Sequence, residues 1–137
     1  MEKKKYDLPI ELFGIECGEG WECLYGPIIE WIKNYNKNKN KEEQIEIHQI
    51  KEKFGGLRFY CNFYTNELNE MIRDAEKESF RTCEFCGTKE NVGHTVSGWY
   101  TTCCENCITE MSLKNKREYR WQDINNSVTK IIKAYES

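Results

Sequence analysis

Two short cysteine pairs, Cys83-Glu84-Phe85-Cys86-Gly87 and Cys104-Glu105-Asn106-Cys107, constrain this chain more than any other feature. Seventeen residues separate the pairs, the spacing of a four-thiolate zinc site. Zinc takes four ligands at the corners of a tetrahedron. Each C-x2-C turn brings two sulfurs to one point, and a short intervening hairpin brings the pairs together. Cys103 offers a second register, C-x16-C-x3-C, in which it replaces Cys104. We favour Cys104, because C-x2-C sets both sulfurs on one knuckle and leaves Cys103 on the apolar side of a strand. Disulfides or free thiols are the other readings of the same residues. Four thiolates fill the tetrahedron and leave no position for water or substrate. A Zn2+ ion at Cys83, Cys86, Cys104 and Cys107 is therefore expected to be structural, not catalytic.

The compartment bears on that choice. No apolar run is long enough to cross a bilayer, and Met1 to Tyr6 lack the apolar segment of a signal peptide. The expectation is a cytosolic protein with no membrane partner, where thiols stay reduced and eight cysteines argue for metal over disulfides. A chain of 137 residues buries enough surface for a core of its own and does not depend on metal alone. The formal charge of −3 is not segregated: residues 1–64 carry 10 basic and 11 acidic side chains, and residues 65–137 carry 10 and 12. Proteins that mainly grip phosphate usually show a basic excess, so generic nucleic-acid binding is disfavoured while local basic patches stay open.

Along the chain, the pattern predicts an α+β fold. Tyr6 to Phe13 alternates weakly, as an edge strand does. The glycines of Cys17-Gly18-Glu19-Gly20-Trp21 mark a tight turn. Pro27 is placed to open a helix, with Ile28, Ile29, Ile32 and Tyr35 on one stripe. A Lys/Asn-rich loop follows from Asn34 to Lys41. Gln44 to Phe54 and Leu57 to Tyr64 flank Gly55-Gly56 and predict a central hairpin over 44–64 with a two-residue turn. That register pairs Phe54 with Leu57, Ile50 with Cys61, and His48 with Phe63. It buries Phe54, Ile50, Leu57, Phe59, Cys61 and Phe63 on one face. The other face carries Lys51, Lys53, Arg58, Tyr60 and Tyr64, with Lys53 and Arg58 as cross-strand neighbours. From Asn66, Leu68, Met71, Ile72, Ala75, Ser79 and Phe80 form a helical stripe. Between the cysteine pairs, Val92, His94 and Val96, then Trp99, Thr101 and Cys103, alternate about Ser97-Gly98 and read as a small hairpin. A knuckle, a hairpin, and a second knuckle at a helix start make a treble-clef-like zinc module. Ile124, Val128, Ile131, Ile132 and Tyr135 predict a C-terminal amphipathic helix. The expected organisation is an α+β region over 1–80 and a zinc module with a C-terminal helix over 81–137, packed as one unit.

Three blocks also carry a family likeness. Cys17-Gly-Glu-Gly-Trp21, Lys51-Glu-Lys-Phe-Gly-Gly-Leu-Arg-Phe-Tyr60, and Arg81-Thr-Cys-Glu-Phe-Cys-Gly87 with Gly98-Trp99 before Cys104 resemble a family of small phage and prophage proteins without an assigned activity. The resemblance spans roughly residues 10–110 by motif order. It implies a phage-linked accessory role in the cytoplasm of a bacterial host. Such roles include inhibition of a host defence complex by protein–protein binding, in the manner of anti-CRISPR proteins.

The remaining candidates divide among three functions. Treble-clef modules host HNH nucleases, and His94 is the residue that would serve as general base. Those enzymes need a second His or Asn on the metal; Gly93-His94-Thr95 has no adjacent one, and His48 is expected on the buried hairpin face. Cys17, Cys23 and Cys61 read as small buried hydrophobes. Trp21 reads as a core anchor. The hairpin face of Lys51, Lys53, Arg58, Tyr60 and Tyr64 is the best candidate interaction surface, suited to a protein hot spot or to base stacking. Lys114 to Arg120 is a second basic run. The sequence therefore favours a non-enzymatic binding protein whose partner is a host or phage protein or a ribonucleoprotein complex. A nucleic-acid-binding zinc protein is the alternative, and an HNH-like nuclease a second one.

Overall fold

A computed structural model describes residues 14–96 and 98–136. The strand expected over Tyr6 to Phe13 lies outside them, as does Ser97. The chain is α+β, built as two small sheets, each with its own buried cluster.

The first sheet has the order β1 (Ile15–Glu16), β2 (Ile47–Lys53), β3 (Gly56–Cys61), with β1 parallel and β3 antiparallel to β2. Helix α1 (Glu22–Asn36) and helix α2 (Asn66–Ser79) complete this region. Trp21, Ile28, Ile29 and Ile32 pack with Ile50, Leu57, Phe59 and Leu68 in one cluster. Each such side chain contributes roughly 1.5–3 kcal/mol of burial. Helix α1 starts one turn earlier than Pro27 suggests, so Pro27 lies inside it. The buried Trp21 anchors a preceding 3-10 turn (Glu19–Trp21) that nucleates the helix ahead of the proline. Asn36 then closes the Lys/Asn loop, donating to the Ile45 carbonyl at 2.9 Å and accepting from the Ile45 amide at 2.8 Å. Thr65 caps α2 by accepting from the Leu68 amide at 3.0 Å.

The hairpin forms, but in a different register. Lys53 pairs with Gly56, Ile50 with Phe59 and Lys51 with Arg58, so the turn residues are Phe54 and Gly55. Both have left-handed backbones, with φ of 54° and 82°, as a type I′ turn requires. The two-residue displacement preserves side-chain parity. Ile50, Leu57, Phe59 and Cys61 are buried as expected, whereas Phe54 moves to the tip and is 72% exposed. A bulge between Ile47 and Gln49 pairs Ile47 with Cys61 and turns His48 outward to solvent. The expected burial of His48 against Phe63 is thereby overturned, and Phe63 is itself exposed.

The second sheet runs β5 (Thr102–Cys104), β4 (Val92–Thr95), β6 (Tyr119–Asp123), β7 (Thr129–Ile132), all antiparallel. Helix α3 (Glu105–Asn115) follows β5 directly. The predicted C-terminal amphipathic helix does not form. Its residues belong to the β6–β7 hairpin, followed by a short 3-10 turn (Ala134–Glu136). Two features outweigh the helical stripe. Tyr119 and Trp121 alternate inward with Arg120 outward, a period of two. Asp123 then folds the chain back, its Oδ1 accepting from the Asn125 amide at 2.7 Å and the Asn126 amide at 3.3 Å.

Candidate metal centre

The first knuckle leaves α2 through a tight loop and is pinned at three points. Cys83 donates its amide to the Thr88 carbonyl at 2.9 Å, and Gly87 donates back to the Cys83 carbonyl at 2.9 Å. Glu84 donates to the Thr102 carbonyl of β5 at 3.0 Å, which brings the knuckle beside the second pair. Gly87 has φ +82°, the left-handed conformation glycine adopts without strain. The second knuckle is the start of α3. Cys104 is its N-cap, with Sγ accepting from the Cys107 amide at 3.4 Å.

This places the Sγ atoms of Cys83, Cys86, Cys104 and Cys107 within 4.8 Å of one another. Such a group can hold a metal ion. The Cys86 and Cys104 sulfurs are 3.7 Å apart; metal–sulfur bonds of about 2.3 Å in a tetrahedron put sulfurs about 3.8 Å apart. Cys103, by contrast, points into the second cluster beside Trp121, whose indole N–H donates to the Cys103 carbonyl at 2.9 Å. Adjacent residues of a strand face opposite ways, so only one of Cys103 and Cys104 reaches the group, and it is Cys104.

The four thiols also influence one another's ionisation. Burial works against ionisation of Cys83, yet backbone N–H groups of Cys104, Cys86 and Phe85 outweigh it and lower its thiol below the usual range. Cys104 and Cys107 are shifted upward, first by burial and then, in part, by the negative charge on Cys83. Four adjacent thiolates repel one another unless a cation sits among them. Burial, then Glu84 and Glu52, push the half-buried Cys17 thiol up to about 12, and burial alone does the same for buried Cys61, which disfavours the thiolate at both. Cys23 is exposed, contrary to the small-hydrophobe expectation.

Two glycine turns serve as joints. Gly18 and Gly20 lie against the first knuckle: the Gly18 amide donates to Glu84 Oε2 at 3.0 Å, and the Gly20 amide donates to the Glu84 carbonyl at 2.8 Å. The Trp21 indole N–H donates to the Thr82 carbonyl at 2.9 Å. A Cβ on Gly20 would sit 2.3 Å from the Cys83 carbonyl oxygen, so the approach needs glycine. The hairpin tip makes the second joint. Thr102 Oγ1 donates to the Gly55 carbonyl at 2.6 Å, the Tyr100 ring covers Gly55, and the Phe80 ring covers Gly56.

Sequence reasoning missed Glu84. It is buried inside the first C-x2-C turn, accepts from Gly18 and, at 2.8 Å, from Thr101 Oγ1, and burial raises its carboxyl above the usual range. Its only signal was a carboxylate lodged between two ligand positions. Glu19, between the two glycines, is exposed.

The hairpin candidates Lys51, Lys53, Arg58 and Tyr60 share one face of the strands. Lys51 and Arg58 face each other across the strands, and Arg58 lies 3.7 Å from Glu76. Lys53 reaches over the Phe54 ring at 5.8 Å. Tyr60 and Tyr64 line a shallow cleft with Ile72, Arg73 and Glu76 at the other end, and the Tyr64 hydroxyl accepts from the Cys61 amide at 3.0 Å. His94 stacks on Tyr100 at 4.8 Å between centroids, with Nδ1 3.1 Å from the Thr95 carbonyl. Comparison with family models, curated proteins and solved structures yields no match. No described helix is long and apolar enough to cross a membrane.

Proposed function

We propose that the four cysteines hold a structural Zn2+ in a treble-clef-like module, and that the protein is a non-enzymatic binding protein of phage type. The observation that carries this reading is the completeness of the ligand set. Four thiolates of one group fill a tetrahedral ion's coordination, and zinc saturated by sulfur stabilises a fold without activating water. His94, the residue a nuclease would use, has its ring against Tyr100 and one nitrogen at the Thr95 carbonyl. Its neighbours are those of a packed side chain.

The partner we propose is a host protein or ribonucleoprotein complex in the bacterial cytoplasm, a defence complex being the class that the phage resemblance suggests. The contact surface is the hairpin tip. Phe54 stands out into solvent there with Lys53 over its ring, and Tyr100 and Phe80, both partly exposed, flank Gly55 and Gly56. Exposed aromatic rings beside a cation are the composition of an interface hot spot.

The test is affinity capture from the bacterial host with the parent chain and with Phe54→Asp, reading protein and nucleic acid in the same eluate. Removing a hot-spot ring costs about 2 kcal/mol or more, so the variant should lose the captured protein at matched concentration. Equal recovery by both chains, or recovery of nucleic acid without protein, contradicts the reading.

A further inference from the structure

The run Lys114-Asn-Lys-Arg-Glu-Tyr-Arg120 holds four cations and one carboxylate in a chain whose formal charge is −3. The carboxylate, Glu118, already has a cation, Lys133, 3.9 Å away. Several basic side chains elsewhere have a carboxylate partner: Arg58 has Glu76, Arg81 and Lys89 have Glu78, and Lys130 has Glu105. None of those ion pairs includes Lys114, Lys116, Arg117 or Arg120. Lys114 has a local use at the negative C-terminal end of α3. Lys116, Arg117 and Arg120 lie past that end and remain unanswered.

These cations border an aromatic platform. Trp99 is 44% exposed and meets Tyr119 edge-on at 5.9 Å; the guanidinium of Arg117 lies 5.5 Å from the same Tyr119 ring. The arrangement is braced from below. Tyr119 accepts at its hydroxyl from the Asn115 amide group at 2.9 Å. Buried Thr95 donates to the Trp99 carbonyl at 2.5 Å and accepts from the Thr101 amide at 2.9 Å. A cleft of about 150 Å³ opens between Thr95, Trp99, Arg117, Glu118, Tyr119 and Arg120; its one carboxylate, Glu118, is the partner of Lys133. An exposed indole on a braced turn, next to two arginines against one carboxylate that is shared with Lys133, suits a ligand with a flat π-face and a phosphate beside it. Single-stranded nucleic acid supplies both, the base stacking on the ring and the backbone meeting the cations. An acidic peptide would match the charge and leave the indole without a partner.

We infer that the Trp99–Arg117–Arg120 cleft is a single-stranded nucleic-acid site, a second surface of the same binding protein and independent of the hairpin tip. The experiment is fluorescence anisotropy of a short fluorescein-labelled oligouridine with the full metal-loaded chain, competed with unlabelled duplex and with polyglutamate. Affinity should fall between roughly 50 and 200 mM salt with a log–log slope near −2, the value for about three phosphates on a single strand. Trp99→Ala should weaken binding about tenfold or more. Arg117→Gln with Arg120→Gln should weaken it further and flatten the salt slope, while Phe54→Asp leaves it unchanged. Metal content and near-ultraviolet circular dichroism should match the parent in each variant; Trp99, Arg117 and Arg120 are all exposed. Three results would each overturn the proposal: no binding at low salt, parent affinity in both the Trp99 and the double-arginine variants, or polyglutamate competing as well as the oligonucleotide. Equal competition by duplex would reduce the surface to generic phosphate attraction and overturn it too.

Discussion

The two clusters of this molecule are stabilised in different ways. The first gathers Trp21, three isoleucines of α1, the hairpin's Ile50, Leu57 and Phe59, and Leu68 and Ile72 of α2. Its buried members are apolar, with no metal-ligand group among them. The second contains Val92, Ile108, Tyr119, Trp121 and Ile132 around Cys83, Cys103 and Cys104, in strands of three to five residues. A core so small falls below what hydrophobic burial usually sustains, and on the proposed reading a metal among its sulfurs makes up the difference. Glycine joints link the two. The Gly18–Gly20 turn lies on the metal knuckle and the Gly55–Gly56 tip lies on Tyr100 and Phe80. The proposal of a structural metal therefore makes the second region metal-dependent and the first its support.

That contrast can be broken at several points. The largest effect should come from Cys104→Ser. Structural zinc sites supply roughly 10 kcal/mol or more of folding free energy, about as much as a whole domain's net stability. The variant should lose bound zinc by metal analysis, while Cys103→Ser keeps it. The reverse outcome would restore the C-x16-C-x3-C register. Leu57→Ala should cost about 2–5 kcal/mol in denaturant unfolding with zinc content unchanged, because fully buried Leu57 belongs to the first cluster alone. Gly20→Ala should cost about 1–3 kcal/mol, the range of an overpacked contact, and it should act at the joint. Amides of the first knuckle would lose protection while the interior of β2 and β3 keeps theirs.

The smallest effect concerns Glu78, whose carboxylate meets Lys89 at 3.1 Å and also pairs with Arg81. Hydrogen bonds from Lys89 and then Arg81 hold its carboxyl below the usual range. A folded-state pKa below the unfolded one gives stability that is present above the unfolded value and lost as pH falls through the folded one. Glu78→Gln should therefore match the parent in acid and fall slightly short of it at neutral pH. The difference should shrink in salt, since the group is exposed. A difference confined to acid would have the wrong sign.

The sequence told most where the chemistry was local. C-x2-C spacing picked out the four cysteines that come together, and alternation picked out Ile50, Leu57, Phe59 and Cys61 as inward residues of the hairpin in spite of the register change. The misreadings came from signals that compete at short range. Gly55-Gly56 reads as the turn, but Phe54 accepts the left-handed position so that Gly56 can lie under Phe80. Ile124, Val128, Ile131 and Ile132 fit a helix by spacing, whereas Asp123-Ile-Asn-Asn-Ser127 carries the turn that overrides it. Glu84 was out of reach because its partners, Gly18 and Thr101, are 66 and 17 residues away. The glycines of C-G-E-G-W, read as a tight turn, also let one backbone approach another.

Amide hydrogen exchange resolved along the chain, with and without a zinc chelator, tests the central claim most directly. Chelation should strip protection from β4, β5, α3 and β6 and from the Gly20 amide that donates to Glu84, while α1, β2 and β3 keep theirs. Simultaneous loss of protection in both regions, or no change in either, would contradict an account in which only the second region depends on metal.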